Sequence, residues 1–475
     1  MFIFDISLGS AGINKSSLPP LSEWLRPNYS GPGDLASRRG LGSDGKINDP
    51  DNWEKDFSDF NYTYPENLKL KDELNAEKNK ITPIRDDPSM NRKFDSISTT
   101  CNKYEDLRGR RGVLVQKYNA EIVTNAWMKM YECMKLLEDP LLTKLAKNNA
   151  RSGAGTGSDR SRAFHSFHIA EAPGNFMVAM NHYLYSHHPN LEWKWLANSY
   201  RDLYTSSITS DPSLINTHYL TDSYGLIRHY KDRWVFGADG DGDITSPANI
   251  RSFAAKMESE FGTPAKGTSV LGGLHFITSD VKFVPPDVNY DEEEWQNIPV
   301  QLGHLLSSLV TLRKGGVCML KEFTFFEAPK MSHLYLLANC FQKLYIVKPE
   351  TSRPANSEVY VFGIGYKKNL TALQIEVLYD IMQYIRFMTD KSPSIFKKED
   401  IPEAFAARVH KLNQKLVEKQ VPAINRNVDL FRQYENTPFA EISRDMSSIR
   451  ARTAEEWIKK YGVSDLPEKK HIANQ

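Results

Sequence analysis

The chain has 475 residues, of which 40% are hydrophobic and 25% charged, an ordinary composition for a soluble globular protein. Its 60 basic and 59 acidic side chains give a formal net charge of +1, which excludes a polycation. Any nucleic-acid contact must therefore come from a local patch. No run of about 18 apolar residues occurs, and the N-terminus lacks the basic start of a signal peptide, so we expect no membrane span.

The four cysteines lie far apart and form no CxxC pair, which argues against a zinc site or a disulfide framework. Cys318 lies in an apolar run and is predicted to be a buried, reduced thiol. The histidines have no metal-ligand spacing, so we expect no catalytic metal. These features favour an intracellular, cytoplasmic protein (host cytoplasm or virion for a viral chain), with the nucleus as the alternative.

Residues 1–110 are rich in Pro, Gly, Asn, Asp and Ser, and we predict an extended or partly disordered region there, above all over 26–34 and 40–51. A helix is predicted over 119–138, because apolar residues recur on one face. The Gly-rich run 152–158 follows no strand, which favours a flexible linker over a phosphate-binding loop.

An alternation of strands and helices begins at residue 167 and indicates a mainly parallel sheet. The predicted strands are 167–170, 274–278, 317–323, 344–347 and 359–362, and the predicted helices are 176–184 and 295–312. Gly315 and Gly316 are interpreted as the end of the second helix. The last strand follows its neighbour through a loop too short for a crossover helix, so it should be antiparallel. From residue 367 onward the pattern is helical.

Several single residues in these segments are unusual. Lys321 lies inside an apolar strand, where lysine is rare unless it is paired or functional. Asp280 follows a strand, at the end that lines ligand crevices in open α/β sheets, although such a residue is often only a cap. Lys129 lies on the predicted helix, where a lysine is normally solvated. Lys135, Lys144 and Lys147 are the alternatives to Lys129 for a functional lysine in this region.

Three loops carry further signals. The turn 171–176, Glu-Ala-Pro-Gly-Asn-Phe, would let backbone N–H groups approach a ligand closely. The acidic loop 237–245 fails as an EF-hand, because Ile244 and Ile250 occupy the required Gly and Glu positions. The segment 348–362 contains a polar loop, Ser-Arg-Pro-Ala-Asn-Ser, between two strands, and Glu358 stands at the mouth of the second strand. That composition suits a rigid loop that grips an anionic polymer.

Taken together, these segments resemble the FtsJ-like ribose 2′-O-methyltransferases, and most closely those that modify the mRNA cap in large DNA viruses and eukaryotes. The resemblance covers roughly residues 120–365 and implies a Rossmann-like AdoMet-dependent methyltransferase fold. We therefore expect a mostly parallel seven-stranded α/β sheet with an antiparallel last strand. The expected regions are an N-terminal extension (1–110), the methyltransferase domain (111–366) and a helical C-terminal tail (367–475).

The resemblance also implies roles for individual residues. The catalytic set would be Lys129, Asp280, Lys321 and Glu358. The residues expected to bind S-adenosyl-L-methionine (AdoMet) are Glu171, Ala172, Pro173, Gly174, Asn175, Phe176, Asp243, Ile244 and Asp280. The residues expected to bind the substrate are Ser352, Arg353, Asn356 and Ser357. The resemblance implies that Asp243 accepts a hydrogen bond from the adenine amino group. The chain departs from the family where His168 replaces an acidic residue at a strand end and Asn175 replaces a second glycine. Glu171 is a candidate for the missing carboxylate, for instance toward the AdoMet ammonium.

By this resemblance Lys321 is the general base that accepts the proton of the ribose hydroxyl. A lysine can act as a base only when neutral, and we expect burial and the nearby charge of Lys129 to lower its pKa. Asp280 and Glu358 would oppose that effect and orient the lysines.

The function that the resemblance implies is methylation of capped mRNA, with RNA and other capping or transcription proteins as the expected partners. The alternatives are a ribosomal or transfer RNA substrate, or a non-catalytic RNA-binding subunit.

Overall fold

A seven-stranded mixed sheet lies at the centre of the molecule. The computed structural model describes residues 1–13, 17–25, 55–151, 163–201, 222–262, 273–283, 290–386 and 391–473. The strands are β1 (Phe2–Asp5), β2 (Ala163–Ile169), β3 (Glu192–Ala197), β4 (Leu274–Ser279), β5 (Leu312–Glu322), β6 (Phe341–Lys348) and β7 (Val359–Tyr366). Their order in the sheet is β1-β6-β7-β5-β4-β2-β3.

Strands β3, β2, β4 and β5 are parallel neighbours, whereas β7 is antiparallel to both β5 and β6. The predicted Rossmann-like sheet with an antiparallel last strand is thus confirmed. The sheet is more mixed than expected, because β1 also joins it, antiparallel to β6 at the edge. A four-residue strand so far from the rest of the sheet in sequence leaves no alternating pattern long enough to detect.

The helices of the described residues pack on the sheet and on one another. They are α1 (Pro65–Asn79), α2 (Thr82–Asp86), α3 (Pro88–Thr100), α4 (Val113–Tyr118), α5 (Asn125–Met134), α6 (Thr143–Arg151), α7 (Asn175–His187), α8 (Leu226–His229), α9 (Pro247–Phe261), α10 (Glu293–Thr311), α11 (Ala328–Cys340), α12 (Ala372–Arg386), α13 (Glu403–Tyr434) and α14 (Phe439–Tyr461). None of them is long and apolar enough to cross a bilayer.

Two hydrophobic clusters lie on opposite faces of the sheet. Phe167 and Ile169 of β2 join the cluster that contains α9 to α12, while Phe164 joins the cluster that contains α5, α7 and part of α14. Positions 164 and 167 of a strand point to opposite faces, because side chains alternate along it. All four cysteines are buried and free, as expected for Cys318.

The prediction of an extended or partly disordered region does not hold for the part of residues 1–110 from Pro65 to Thr100, which forms three helices. Proline lies in the first turn of each helix, where its missing N–H costs nothing. Asp87 caps α3 by accepting hydrogen bonds from the N–H groups of Ser89 and Met90. Residues 26–54, which include both runs on which the prediction rested, and the Gly-rich run 152–158 lie outside the described residues.

Two other local predictions need correction. Gly315 and Gly316 do not end a helix: α10 ends at Thr311, and both glycines lie within β5, where the register with β4 shifts. The helix expected over 119–138 begins only at Asn125, because Thr124 caps it by accepting a hydrogen bond from the N–H of Trp127. The described residues from 367 onward are mainly helical, and α13 packs against α1, α3 and α11.

Candidate active site

Lys129, Asp280, Lys321 and Glu358 converge at the carboxyl end of the parallel strands. Lys129 lies on α5, Asp280 follows β4, Lys321 is near the end of β5 and Glu358 immediately precedes β7. Lys129 Nζ lies 2.5 Å from Glu358 Oε1, while Lys321 Nζ lies 3.4 Å from Asp280 Oδ1 and 3.7 Å from Glu358 Oε2. The fold thus brings together residues as far as 229 positions apart.

These side chains are nearly buried but not sealed. About a tenth of each of Lys129, Lys321 and Glu358 is exposed, and 23% of Asp280. A substrate hydroxyl could therefore reach the cluster while most of the water is excluded. Charges in such a setting interact more strongly than they would on the surface.

The electrostatics of Lys321 differ from the prediction. Burial acts to lower the pKa of Lys321, but the charges of Asp280 and Glu358 outweigh burial and raise its pKa above the usual value. Burial likewise opposes ionisation of Glu358, yet the charges of Lys129 and Lys321 prevail and lower the pKa of Glu358 to about 2. The cluster by itself therefore holds Lys321 protonated, because ion pairing at these distances exceeds the effect of burial.

Tyr360 is a member of the cluster that the sequence analysis missed. Its hydroxyl lies 3.2 Å from Asp280 Oδ1 and 3.1 Å from Glu358 Oε1, so it can donate to either carboxylate. Burial and both carboxylates raise the pKa of Tyr360 well above its usual value, which keeps the hydroxyl protonated as a donor. A signal was available, because residues two apart on a strand share a face, and Tyr360 stands two positions after Glu358.

Lys348, at the end of β6, was also missed. Its Nζ donates hydrogen bonds to Asn356 O and Oδ1, both at 2.8 Å, and to Glu358 O at 2.9 Å. Burial lowers the pKa of Lys348 to about 7. The lysine holds the end of the polar loop against β6, immediately before Glu358. Like Lys321, it is a lysine at or near the end of a strand with an apolar run, which was a detectable signal.

The four predicted substrate-binding residues have different environments. Ser352 and Ser357 are buried, and Ser357 Oγ accepts a hydrogen bond from Gln420 Nε2 of α13 at 3.1 Å. Asn356 is engaged by Lys348, while Arg353 is exposed at the loop surface. Arg353 is therefore the member of this set whose side chain is accessible to an anionic ligand. The substrate contacts of all four residues stay predictions.

The turn after β2 favours glycine at position 174, because the backbone there has a positive φ that other residues rarely adopt. Gly174 has φ +117°, and a Cβ there would lie 2.1 Å from a methyl carbon of Leu226. Asn175 accepts a hydrogen bond from Thr124 Oγ1 at 2.8 Å, which joins this turn to the start of α5. The turn therefore lies beside the helix that carries Lys129, with its backbone close to the ends of the strands. Ala172 and Pro173 form the same bend, and the side chain of Phe176 packs in the core.

The carboxylate of Glu171 forms hydrogen bonds within the protein itself. Its Oε1 accepts the N–H groups of Phe176 and Met177, at 2.8 and 3.0 Å, and so caps α7. Burial raises the pKa of Glu171 well above its usual value. The side chain of His168 is buried on one face of the sheet, where its ring nitrogens lie 2.8 Å from the hydroxyls of Ser166 and Thr278. The predicted contact of Glu171 with the AdoMet ammonium stays a prediction.

The loop predicted to meet adenine lies against the end of β3. Gly242 has φ +73°, and a Cβ there would lie 2.1 Å from the carbonyl oxygen of Ser199. Asp243 accepts hydrogen bonds from the N–H of Thr245 at 2.8 Å and from Arg386 Nη2 of α12 at 2.9 Å. The side chain of Ile244 is buried, so only its backbone could contact a ligand. The adenine contact of Asp243 stays a prediction.

These loops fit AdoMet as a ligand. The ends of β2 and β3 are tied together, since Ser199 Oγ accepts the N–H of Ala172 at 2.8 Å and Glu171 N–H donates to Asn198 O at 3.0 Å. Asn198 Oδ1 is buried without a hydrogen-bond partner. The absence of a side chain at Gly174 and Gly242 lets a ligand approach the backbone closely, and Asn198 Oδ1 is an unpartnered acceptor at the same strand ends. Both features suit a nucleoside cofactor.

Comparison with known proteins gives a family for the chain. The family model for FtsJ-like methyltransferase matches residues 122–366. The "Probable methyltransferase EP424R" of African swine fever virus (isolate Pig/Kenya/KEN-50/1950) is 28% identical over 373 residues, which is 76% of either chain. The "Cap-specific mRNA (nucleoside-2′-O-)-methyltransferase 2" of Danio rerio is 26% identical over 433 residues, which is 87% of this chain and 49% of that protein. The chain thus spans about half the length of this second relative.

Among solved structures, human Methyltransferase-like protein 13 in complex with SAH aligns over 59% of this chain and 100% of its own, at 14% identity and a TM-score of 0.27. A likeness this distant carries no argument about function.

Proposed function

Because the chain belongs to the FtsJ-like methyltransferase family, we propose that it methylates the ribose 2′-hydroxyl of RNA, on a cap-proximal nucleotide of mRNA. Its methyl donor is AdoMet, as in the rest of the family. The observation that carries the proposal is the convergence of Lys129, Asp280, Lys321 and Glu358 at the strand ends. A ribose hydroxyl is a poor nucleophile until its proton is removed, and this cluster has the groups needed to orient it and to take that proton.

The residues that would hold AdoMet are those of the turn 171–176 and the loop 242–245. When bound, AdoMet supplies an activated methyl group on a positively charged sulfur. The protein's own task is to hold the ribose hydroxyl in line and to accept its proton at Lys321 Nζ. Since the carboxylates keep Lys321 protonated in the cluster, this lysine must first release its proton to water. Asp280, Glu358 and Tyr360 then fix the position of the amine.

The choice of capped mRNA as substrate is supported by the relatives whose names describe cap-specific 2′-O-methylation, at 26 to 28% identity. The exposed Arg353, in a loop directly beside the cluster, supports a phosphate-bearing substrate. The altered positions His168 and Asn175 do not favour a non-catalytic subunit, because both make internal hydrogen bonds that leave the four-residue cluster complete.

Methyl transfer from labelled AdoMet to matched RNAs tests the proposal. We expect transfer to capped RNA and much less to the same RNA without a cap. A capped RNA that already carries a 2′-O-methyl group on its first nucleotides is the control and should accept no label there. Better transfer to uncapped structured RNA would favour the ribosomal or transfer RNA alternative. No AdoMet binding by isothermal titration, with no transfer to any RNA, would favour a non-catalytic subunit.

A further inference from the structure

Glu132 is a buried carboxylate three residues after Lys129 on α5. Its Oε2 accepts the N–H of Glu350 at 2.7 Å, and its Oε1 accepts the N–H of Thr351 at 3.1 Å and Trp457 Nε1–H at 3.0 Å. Glu350 and Thr351 begin the polar loop after β6, and Trp457 lies on α14. One side chain therefore joins α5, the loop and the C-terminal helix.

The same loop is held at two further points. Gln420 of α13 donates from Nε2 to Ala355 O at 3.0 Å and to Ser357 Oγ at 3.1 Å, in the middle of the loop. Lys348 holds its last residues, as described above. Glu350 adds a second link to α14, because its Oε1 accepts hydrogen bonds from Lys460 Nζ and from the hydroxyl of Tyr461.

All three partners of Glu132 are N–H donors, and an ionised carboxylate accepts such hydrogen bonds more strongly than a protonated carboxyl group does. Protonation would add an O–H for which these three partners offer no acceptor. Burial nevertheless raises the pKa of Glu132 to about 7, although the hydrogen bonds from Trp457 and Thr351 oppose this. Keeping a charge at this buried position is therefore costly, and residues kept at such a cost are frequently functional.

We propose that Glu132 is a positioning residue of the methyl-transfer site, which fixes the loop 350–357, and through it Glu358, relative to Lys129 and α14. This inference rests on the proposed function. Lys129 and Glu132 lie one turn apart on the same helix. The helix therefore fixes the distance between the carboxylate that binds the start of the loop and the amine that pairs with Glu358, directly after the loop. The C-terminal helices α13 and α14 are then parts of the active site, although they lie outside the matched residues 122–366.

The test compares three variants of the full chain: Glu132→Gln, Trp457→Phe and the control Glu121→Gln. Glu121 is a matched residue, because it too is a buried carboxylate that accepts two backbone N–H groups, those of Ile472 and Ala473, from the C-terminal segment. Its hydrogen-bond partners lie on α7 (Asn181) and in the C-terminal segment, not in the loop 350–357. Loss of a buried acid as such should therefore affect both Gln variants alike.

We expect Glu132→Gln to lower kcat for methyl transfer about 10- to 100-fold, since small misplacements of reacting groups have effects of this order. AdoMet affinity should change less than about twofold, because the turn 171–176 is untouched. Trp457→Phe should show a smaller loss of kcat, since it removes one donor of three and keeps the packing. The control should retain kcat. A Glu132→Gln variant whose kcat equals that of Glu121→Gln overturns the proposal.

Hydrogen exchange of the peptide covering 349–357 separates this inference from the proposed function. Faster exchange in Glu132→Gln and Trp457→Phe, but not in Glu121→Gln, supports the positioning role whether or not the RNAs tested are the true substrates. A loop that stays as protected as in the unaltered protein overturns that role, even if methyl transfer itself is confirmed. Trp457→Phe keeps both measurements decisive if Glu132→Gln folds poorly.

Discussion

Glu358 is the centre of the ion cluster, and its replacement by Gln removes a negative charge from between two ammonium groups. One oxygen lies 2.5 Å from Lys129 Nζ, and the other lies 3.7 Å from Lys321 Nζ. Despite burial, these charges lower the pKa of Glu358 from 4.5 to about 2. Each pKa unit corresponds to about 1.4 kcal/mol, so ionised Glu358 contributes roughly 3 kcal/mol to the free energy of unfolding at neutral pH.

The pH dependence follows from the sign of this shift. Because the pKa of Glu358 is lower in the folded protein than in the unfolded chain, the stabilisation is complete above the unfolded value of 4.5. It is lost as the pH falls through about 2. We expect Glu358→Gln to lower the free energy of unfolding by roughly 3 kcal/mol at pH 7, and by progressively less as the pH falls from 4.5 toward 3. Urea unfolding followed by circular dichroism at several pH values measures both quantities.

Glu376→Gln is the matched control. Glu376 also accepts two hydrogen bonds from a cation, Arg251, but both side chains are nearly half exposed. Solvent screens such a pair, and its loss should cost less than about 1 kcal/mol. The reasoning about the cluster is refuted if the two variants lose the same stability at pH 7, or if the loss in Glu358→Gln does not shrink in acid.

Other changes test the separate parts of the site. Lys321→Ala should abolish methyl transfer while AdoMet affinity, measured by titration calorimetry, changes little; normal turnover would remove the lysine as base. Because the carboxylates raise the pKa of Lys321, the transfer rate of the unaltered protein should increase with pH across the neutral and alkaline range, and a rate that falls over this range would contradict a lysine base. Tyr360→Phe removes a donor shared by two carboxylates. It should lower kcat about tenfold, which corresponds to roughly the free energy of one buried hydrogen bond, and leave KM for RNA unchanged. An unchanged kcat would show that the hydroxyl has no role. Arg353→Ala should raise KM for RNA, most strongly at low salt, and leave kcat unchanged; a KM that does not move would exclude a phosphate contact there.

Chemistry makes two residues of the cluster conspicuous in the sequence. Lys321 stands out because an apolar strand has little reason to contain an amine, and Glu358 because it follows an unusual Ser-Arg-Pro-Ala-Asn-Ser loop. Lys348 carried the same signal as Lys321 and could have been found. Glu132 and Gln420 carried none, since a single polar residue on an amphipathic helix is ordinary. Their roles depend on which loop packs against them.

The sequence by itself determined the alternation of strands and helices and the antiparallel last strand, because periodicity and loop length are local properties. The identity of the four clustered residues followed from the resemblance of their segments to the FtsJ-like family. Tertiary structure alone decided that β1 joins the sheet, that α1 to α3 form in the Pro-rich region, and that α13 and α14 reach the polar loop. It also decided the protonation of Lys321. Whether burial or ion pairing prevails depends on distances of 3 to 4 Å between side chains from separate strands, and such distances exist only after folding.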